Sequence, residues 1–252
     1  MPVKHCESAV VVENKPLGNG IFKMIVWWPY PADAGQFFMV RGWDKFPLLS
    51  RPISVHDADG ERVTFLYEVR GEGTRLLSEK KAGESVELSG PVGNGFPVEK
   101  IKGKVAVVSG GIGIAPLLLA VKSLSGCEVT LCCGFRDQSY ALDSFRPYVQ
   151  EIRVATDSGK EGHKGFVTDL FDPADFDMVV TCGPEIMMEK LAKSCIAKKV
   201  PCYVSMERHM ACGVGACLGC VVKTKEVDHH SHVHNARICT DGPVFDAEEV
   251  EI

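Results

Sequence analysis

Along the first part of the chain, Val63, Phe65, Tyr67 and Val69 alternate with Thr64, Glu68 and Arg70. That two-residue period is the mark of a strand with one face buried. Further short apolar stretches run over 9–13, 21–28, 36–41, 51–56 and 85–89, and Pro29, Pro31, Gly35, Gly60, Gly71 and Gly83 punctuate them. Six short strands at this spacing predict a small antiparallel barrel or sandwich over residues 1–99, with the barrel favoured.

From Lys104 the pattern changes. Apolar runs at 104–109, 128–134, 152–156, 178–182 and 202–206 predict buried parallel strands. Helices are expected between most of them, at 115–124, 140–149 and 184–198. In the last, Ile186, Met187, Leu191, Cys195 and Ile196 fall close to a 3.6-residue period, with Pro184 at its start. Alternating strands and helices predict an α/β domain with a doubly wound parallel sheet over residues 100–206. Residues 207–252 are left as a small cysteine-bearing module.

Composition adds little to this picture and removes some possibilities. The chain has 252 residues, 45% hydrophobic and 24% charged, with a formal net charge of −5. These values suit a globular protein and lack the basic footprint of nucleic-acid binding. No apolar run approaches a membrane span, and the segment MPVKHCESAVVVENKP lacks the apolar core of a signal peptide. Eleven cysteines without an export signal imply a reducing compartment, so a cytoplasmic protein is expected.

Four of those cysteines carry the most specific signal. Cys212, Cys217 and Cys220 crowd into ACGVGACLGC, and Cys239 returns after eighteen residues. This is the ligand spacing of a plant-type 2Fe–2S cluster. With its thiolates the oxidised cluster carries a charge of about −2, which backbone amides must solvate. Gly213, Gly215 and Gly219 let the loop fold back and aim amides at the sulfurs. Four thiolates also suit zinc, but zinc ribbons usually pair two short knuckles. A cluster moves single electrons, so the residues themselves point to electron transfer. A zinc- or cluster-binding module without redox activity is the rival.

Other motifs are less specific. Ser109-Gly-Gly-Ile-Gly-Ile-Ala-Pro116 follows the first parallel strand and opens a helix, where Gly111 and Gly113 would admit a dinucleotide pyrophosphate. Pro116 stands where the usual fingerprint has its third glycine. Cys182 and Gly183 end the fourth parallel strand, at the edge where open α/β sheets bind ligands. In the barrel region, Arg51-Pro52-Ile53-Ser54 and Gly71-Glu-Gly73-Thr74-Arg75 offer a guanidinium, hydroxyls and amides to an anion or heterocycle. Each of these also reads as an ordinary turn or strand end. Arg136 is a candidate for a nucleotide 2′-phosphate or a solvated side chain. The segment Asp228-His-His-Ser-His-Val-His234 reads as an exposed hairpin, or as a metal site if His230, His232 and His234 share a strand face.

In order, RPIS, GEGT, GPVGNGF, GGIGIAP, CGP, CGVGACLGC and CTDGPVF resemble the dihydroorotate dehydrogenase B electron-transfer family, within the ferredoxin–NADP reductase superfamily. The resemblance covers nearly the whole chain. It implies an FAD-binding barrel, an NAD-binding domain and a C-terminal 2Fe–2S module. It assigns Arg51 and the neighbouring Pro52 and Ile53 to the flavin site, with Arg51 on the FAD phosphates and Ser54 near the reactive ring edge. Gly71, Gly73 and Thr74 become the second phosphate element, and Gly111, Gly113 and Pro116 the NAD loop. Cys182 and Gly183 fall near the hydride-transfer position, while Cys212, Cys217, Cys220 and Cys239 hold the cluster. It further implies a separate FMN-containing catalytic subunit, in a heterotetramer of two of each, with electrons running from dihydroorotate through FMN, cluster and FAD to NAD+. No residue of this chain is then expected to act on dihydroorotate. The small subunit of an NAD(P)H:ferredoxin or sulfide oxidoreductase is the alternative within the superfamily.

Overall fold

A computed structural model describes residues 5–227 and 232–252. Six strands close into an antiparallel barrel: β1 (His5–Gly18), β2 (Ile21–Trp27), β3 (Phe37–Arg41), β4 (Arg51–Ala58), β5 (Arg62–Glu68) and β6 (Ser85–Val92). Their order around the barrel is β1-β2-β5-β4-β3-β6. Aromatic side chains fill the interior, Phe38 meeting Trp28 edge-on at 5.0 Å and Phe65 at 5.7 Å. Such edge-to-face pairs add to the burial of their large apolar areas.

A helix, α1 (Glu72–Ser78), lies between β5 and β6. The sequence predicts no helix here, because seven residues are too few to display a helical period. β1 is longer than expected and runs through Pro16, near its end where a missing amide is tolerated.

The second half is a seven-stranded sheet. It contains β7 (Lys104–Gly110), β8 (Glu128–Phe135), β9 (Glu151–Thr156), β10 (His163–Lys164), β11 (Met178–Cys182) and β12 (Cys202–Ser205), all parallel. Helices α2 (Leu117–Ser123) and α3 (Glu185–Lys198) accompany it. Val105, Val107, Leu131 and Val180 pack into one core and Ala106, Val108, Cys132 and Val179 into another. Burial on both faces explains the continuous apolar runs. The barrel followed by an α/β sheet is the expected fold class.

Two helix expectations need correction. Residues 140–149 form no α-helix; two 3-10 turns, Leu142–Ser144 and Arg146–Tyr148, stand there instead. Ala141 adopts a left-handed φ of 62°, and Pro147 removes an amide that a helix would need. The helix expected at 115–124 begins only at Leu117, because a tight turn over Gly111–Ile114 comes first.

The remaining strands belong to the cysteine-bearing tail. β13 (Val221–Lys223) pairs antiparallel with β14 (Asn235–Arg237). Residues 228–231, with His229 and His230, lie outside the described residues. His232 has a φ of +57°, so a strand face shared with His234 is not formed. β15 (Val244–Asp246) returns to the sheet and pairs antiparallel with β12. Among the described residues no helix is long and apolar enough to cross a membrane.

Candidate functional site

Arg51 opens β4 and lies over the Trp43 ring at 5.4 Å. Arg41 fixes the loop carrying that indole: its Nε donates to Trp43 O (2.9 Å), Nη1 to Leu48 O (2.7 Å) and Nη2 to Asp44 O (2.6 Å). Gly73, in the first turn of α1, sits directly against both side chains. A Cβ there would lie 2.7 Å from Arg51 Nε and 2.8 Å from the Trp43 ring. The guanidinium is thus brought to the start of α1, where the first amides lack intrahelical partners. Thr74 uses its hydroxyl inside the turn, accepting from Arg70 N (3.0 Å) and Gly71 N (3.2 Å) and donating to Gly71 O (3.1 Å). Arg51 and these amides suit an anionic diphosphate. Sequence reasoning missed Trp43 and Arg41, whose one signal was an indole placed between two arginines.

Pro52, Ile53 and Ser54 follow on the same strand, half-buried. Pro52 is paired with Met39 and Ser54 with Phe37 of β3.

At the carboxyl edge of the sheet, Ser109 and Cys182 stand side by side on β7 and β11. The two loops beyond them touch. A Cβ on Gly113 would lie 2.3 Å from Cys182 O, and one on Gly110 would lie 2.6 Å from Pro184 Cδ. Gly183, at φ +157°, meets Gly110 in turn. Gly111 behaves differently: its φ is +55°, and an added Cβ would find no protein atom within 4 Å. It faces open space while Gly113 serves loop packing. Pro116 caps the start of α2. Burial pushes the Cys182 thiol up to about 12, assisted by the Glu207 carboxylate and opposed by the Ser205 hydroxyl. Cys182 is therefore a neutral, polarisable thiol at neutral pH, not a nucleophile. Arg136 follows β8 and is exposed.

The four tail cysteines form two thiol pairs. Cys212 Sγ accepts from Val214 N and Cys217 N, each at 3.4 Å, and the Cys217 thiol also faces it. Cys217 Sγ accepts from Gly219 N at 3.4 Å. Cys239 faces Cys220 and the Gly215 amide, with Cys212 near enough to interact electrostatically. These amides, Val214 foremost, hold the Cys212 thiol down to about 6, while burial pushes Cys239 up to about 12. Among the described residues no three His, Cys, Asp or Glu side chains are grouped to hold a single metal ion. Two pairs of thiols under a canopy of amides fit a two-iron cluster, in which each iron takes two cysteines.

The return segment is tied down by Asp241, whose carboxylate accepts from Arg237 N (2.7 Å), Nε (3.0 Å) and Nη2 (3.2 Å). Asn94, just beyond β6, donates to Thr240 O and Asp241 O, each at 3.1 Å. On the barrel side, Met39 of β3 fills the space where a Gly213 side chain would be, 2.7 Å from its ideal Cβ. Met39 thus touches the cysteine loop and is also the ladder partner of Pro52. One strand separates the cluster loop from the Arg51–Ser54 motif.

The family model for the iron–sulfur cluster binding domain of dihydroorotate dehydrogenase B matches residues 207–251. The chain is 47% identical over 240 residues to a dihydroorotate dehydrogenase B (NAD(+)) electron transfer subunit from Clostridium acetobutylicum, covering 95% of each chain. The chain belongs to this family. The corresponding subunit from Clostridium perfringens is 45% identical, with 96% of each covered. Among solved structures, an NADH-dependent reduced ferredoxin–NADP oxidoreductase superposes with a TM-score of 0.84 at 30% identity, covering 96% of this chain and 89% of the other. The likeness to these relatives extends over nearly the full chain.

Proposed function

We propose that this chain is the FAD- and 2Fe–2S-bearing electron-transfer subunit of an NAD-dependent dihydroorotate dehydrogenase, serving pyrimidine (UMP) biosynthesis in the cytoplasm. The carrying observation is Met39, which contacts the cysteine loop at Gly213 and pairs with Pro52 in the flavin motif. Bound FAD supplies the conversion between two-electron hydride chemistry and the single electrons of the cluster.

The chain's own residues bind and orient. Arg51 and the α1 amides of Gly73 and Thr74 would neutralise the flavin diphosphate, with Gly71 shaping the turn and Pro52 and Ile53 shaping the flavin-binding strand. Ser54 would offer its hydroxyl to the flavin. Gly111 would leave room for NAD, Gly113 and Pro116 would shape the loop, and Cys182 and Gly183 would contribute to the nucleotide site. Cys212, Cys217, Cys220 and Cys239 would hold the iron ions. Residues 1–99, 100–206 and 207–252 divide this work. Dihydroorotate is oxidised on an FMN-containing catalytic partner, in a heterotetramer of two of each subunit.

Co-purification with a candidate FMN subunit, followed by dihydroorotate-dependent NAD+ reduction, tests the reading. A complex that binds dihydroorotate yet never reduces NAD+ overturns it. A second reading, the small subunit of an NAD(P)H:ferredoxin oxidoreductase, draws on the 0.84 superposition. It requires that ferredoxin, rather than the FMN subunit, exchange electrons with the cluster.

A further inference from the structure

His56 has no part in the sites described above, yet it is 3% exposed and lies between them. It sits on β4, two residues beyond Ser54. The β4–β5 ladder is interrupted at this point: Val55 pairs with Phe65 and Asp57 with Thr64, so His56 is an extra residue. A bulge of this kind re-aims a side chain away from the regular pleat. Here the imidazole reaches out of the barrel, and Nδ1 lies 2.8 Å from Ala115 O in the loop between Gly113 and Pro116. A carbonyl only accepts, so Nδ1 carries the proton. The ring edge packs near Phe145, and the next residue, Asp57, pairs with Lys122 of α2 at 2.6 Å.

We infer that His56 is a positioning residue for hydride transfer, holding the Gly111–Pro116 loop in register with the strand that carries Ser54. The inference rests on the proposed binding of FAD by that strand and of NAD by that loop. Ser54 and the loop belong to different sheets, and the main-chain path between them is long. A buried donor fixed by a bulge at one end and a carbonyl at the other sets their spacing directly. Reaction between two bound cofactors depends steeply on that spacing.

Asn and Gln at position 56 separate this role from a merely structural one. Asn presents an amide N–H close to the place of Nδ1, whereas Gln carries it one carbon further. The full chain with its flavin is mixed with NADH, and the limiting rate of flavin reduction is measured. Amide hydrogen exchange over residues 111–115 and the long-wavelength absorbance of nicotinamide stacked on flavin are followed in parallel. For His56→Gln the limiting rate falls about tenfold or more, exchange rises, the stacking absorbance weakens and flavin content is unchanged. His56→Asn stays near the parent in all four. Parent-like flavin reduction in His56→Gln overturns the inference, whether or not its exchange or melting temperature changes. A parent protein whose flavin NADH does not reduce overturns the nucleotide-site reading beneath it.

Discussion

Gly113→Ala tests how tightly the nucleotide loop and the loop at Cys182–Gly183 are packed. Gly113 has no left-handed φ, so a side chain there costs nothing in backbone conformation. The obstacle is space. The new methyl would lie 2.3 Å from Cys182 O, 2.6 Å from Cys182 C and 2.6 Å from Gly183 Cα. All three are backbone atoms, and the closest falls short of ordinary contact by about 1 Å. No side chain can swing away, so the two loops must separate. Overpacking of this kind costs about 1–3 kcal/mol, a fall of about 2–12 °C in Tm for a chain of this size. A displacement near 1 Å between reacting groups can cost about 100-fold in rate. Stopped-flow reduction of the bound flavin by NADH should therefore slow by about that factor at saturating NADH, with flavin content unchanged. Gly111→Ala should separate binding from rate: its left-handed φ of +55° costs about 1–2 kcal/mol of stability, but its Cβ meets no protein atom and occupies only the space assigned to NAD. It should raise the KM for NADH more than it lowers the limiting rate. A Gly113→Ala protein with parental Tm and parental flavin reduction would refute the steric argument.

Other outcomes follow from the remaining sites. Gly73→Ala pushes a methyl into Arg51 Nε and Trp43, and loss of one charge-assisted hydrogen bond should weaken FAD binding about 10- to 100-fold; unchanged retention of FAD on dilution would count against the cradle. Cys217→Ser should remove the cluster's visible absorbance while FAD stays bound and reducible by NADH, with electron exchange to the FMN partner abolished. Transfer persisting without the cluster would break the proposed relay. Burial holds His56 below its ordinary value of 6.5; the Ala115 carbonyl and Asp57 oppose this, and Lys23 and Lys122 assist it. The unfolded chain then takes up the proton first, so stability from the neutral ring is full above pH about 6.5 and is lost as pH falls toward the folded value. Melting curves between pH 7.5 and 5 should therefore fall more steeply for the parent than for His56→Asn, and equal slopes would exclude His56 as the cause.

Much of this molecule was legible in the sequence because its signals are local. Val63, Phe65 and Tyr67 are buried in the barrel as their alternation required, and the apolar run at 104–109 became a strand, Lys104–Gly110, covered on both sides. What misled was also local. Residues 140–149 have apolar spacing compatible with a helix, but Pro147 and a left-handed Ala141 divide the segment into two turns. α1 was too short to announce itself, although its glycines were visible. Trp43 and His56 gave almost no signal, because each acquires meaning from a partner distant in the chain, Gly73 and Ala115, whereas Arg41 binds carbonyls of its own loop that have no sequence pattern.

The spacing of the four cysteines, the order of the motifs and the succession of barrel and parallel sheet follow from the chain alone. Those properties depend on residue type and spacing over a few turns of chain, which physical chemistry reads directly. Packing across the fold is what lays Gly213 on Met39 and Gly113 on Cys182, and what lets a bulge send His56 to Ala115. These contacts join residues far apart in sequence across packed backbones, where register and a missing side chain set the distance. Neither leaves a periodic trace in the chain.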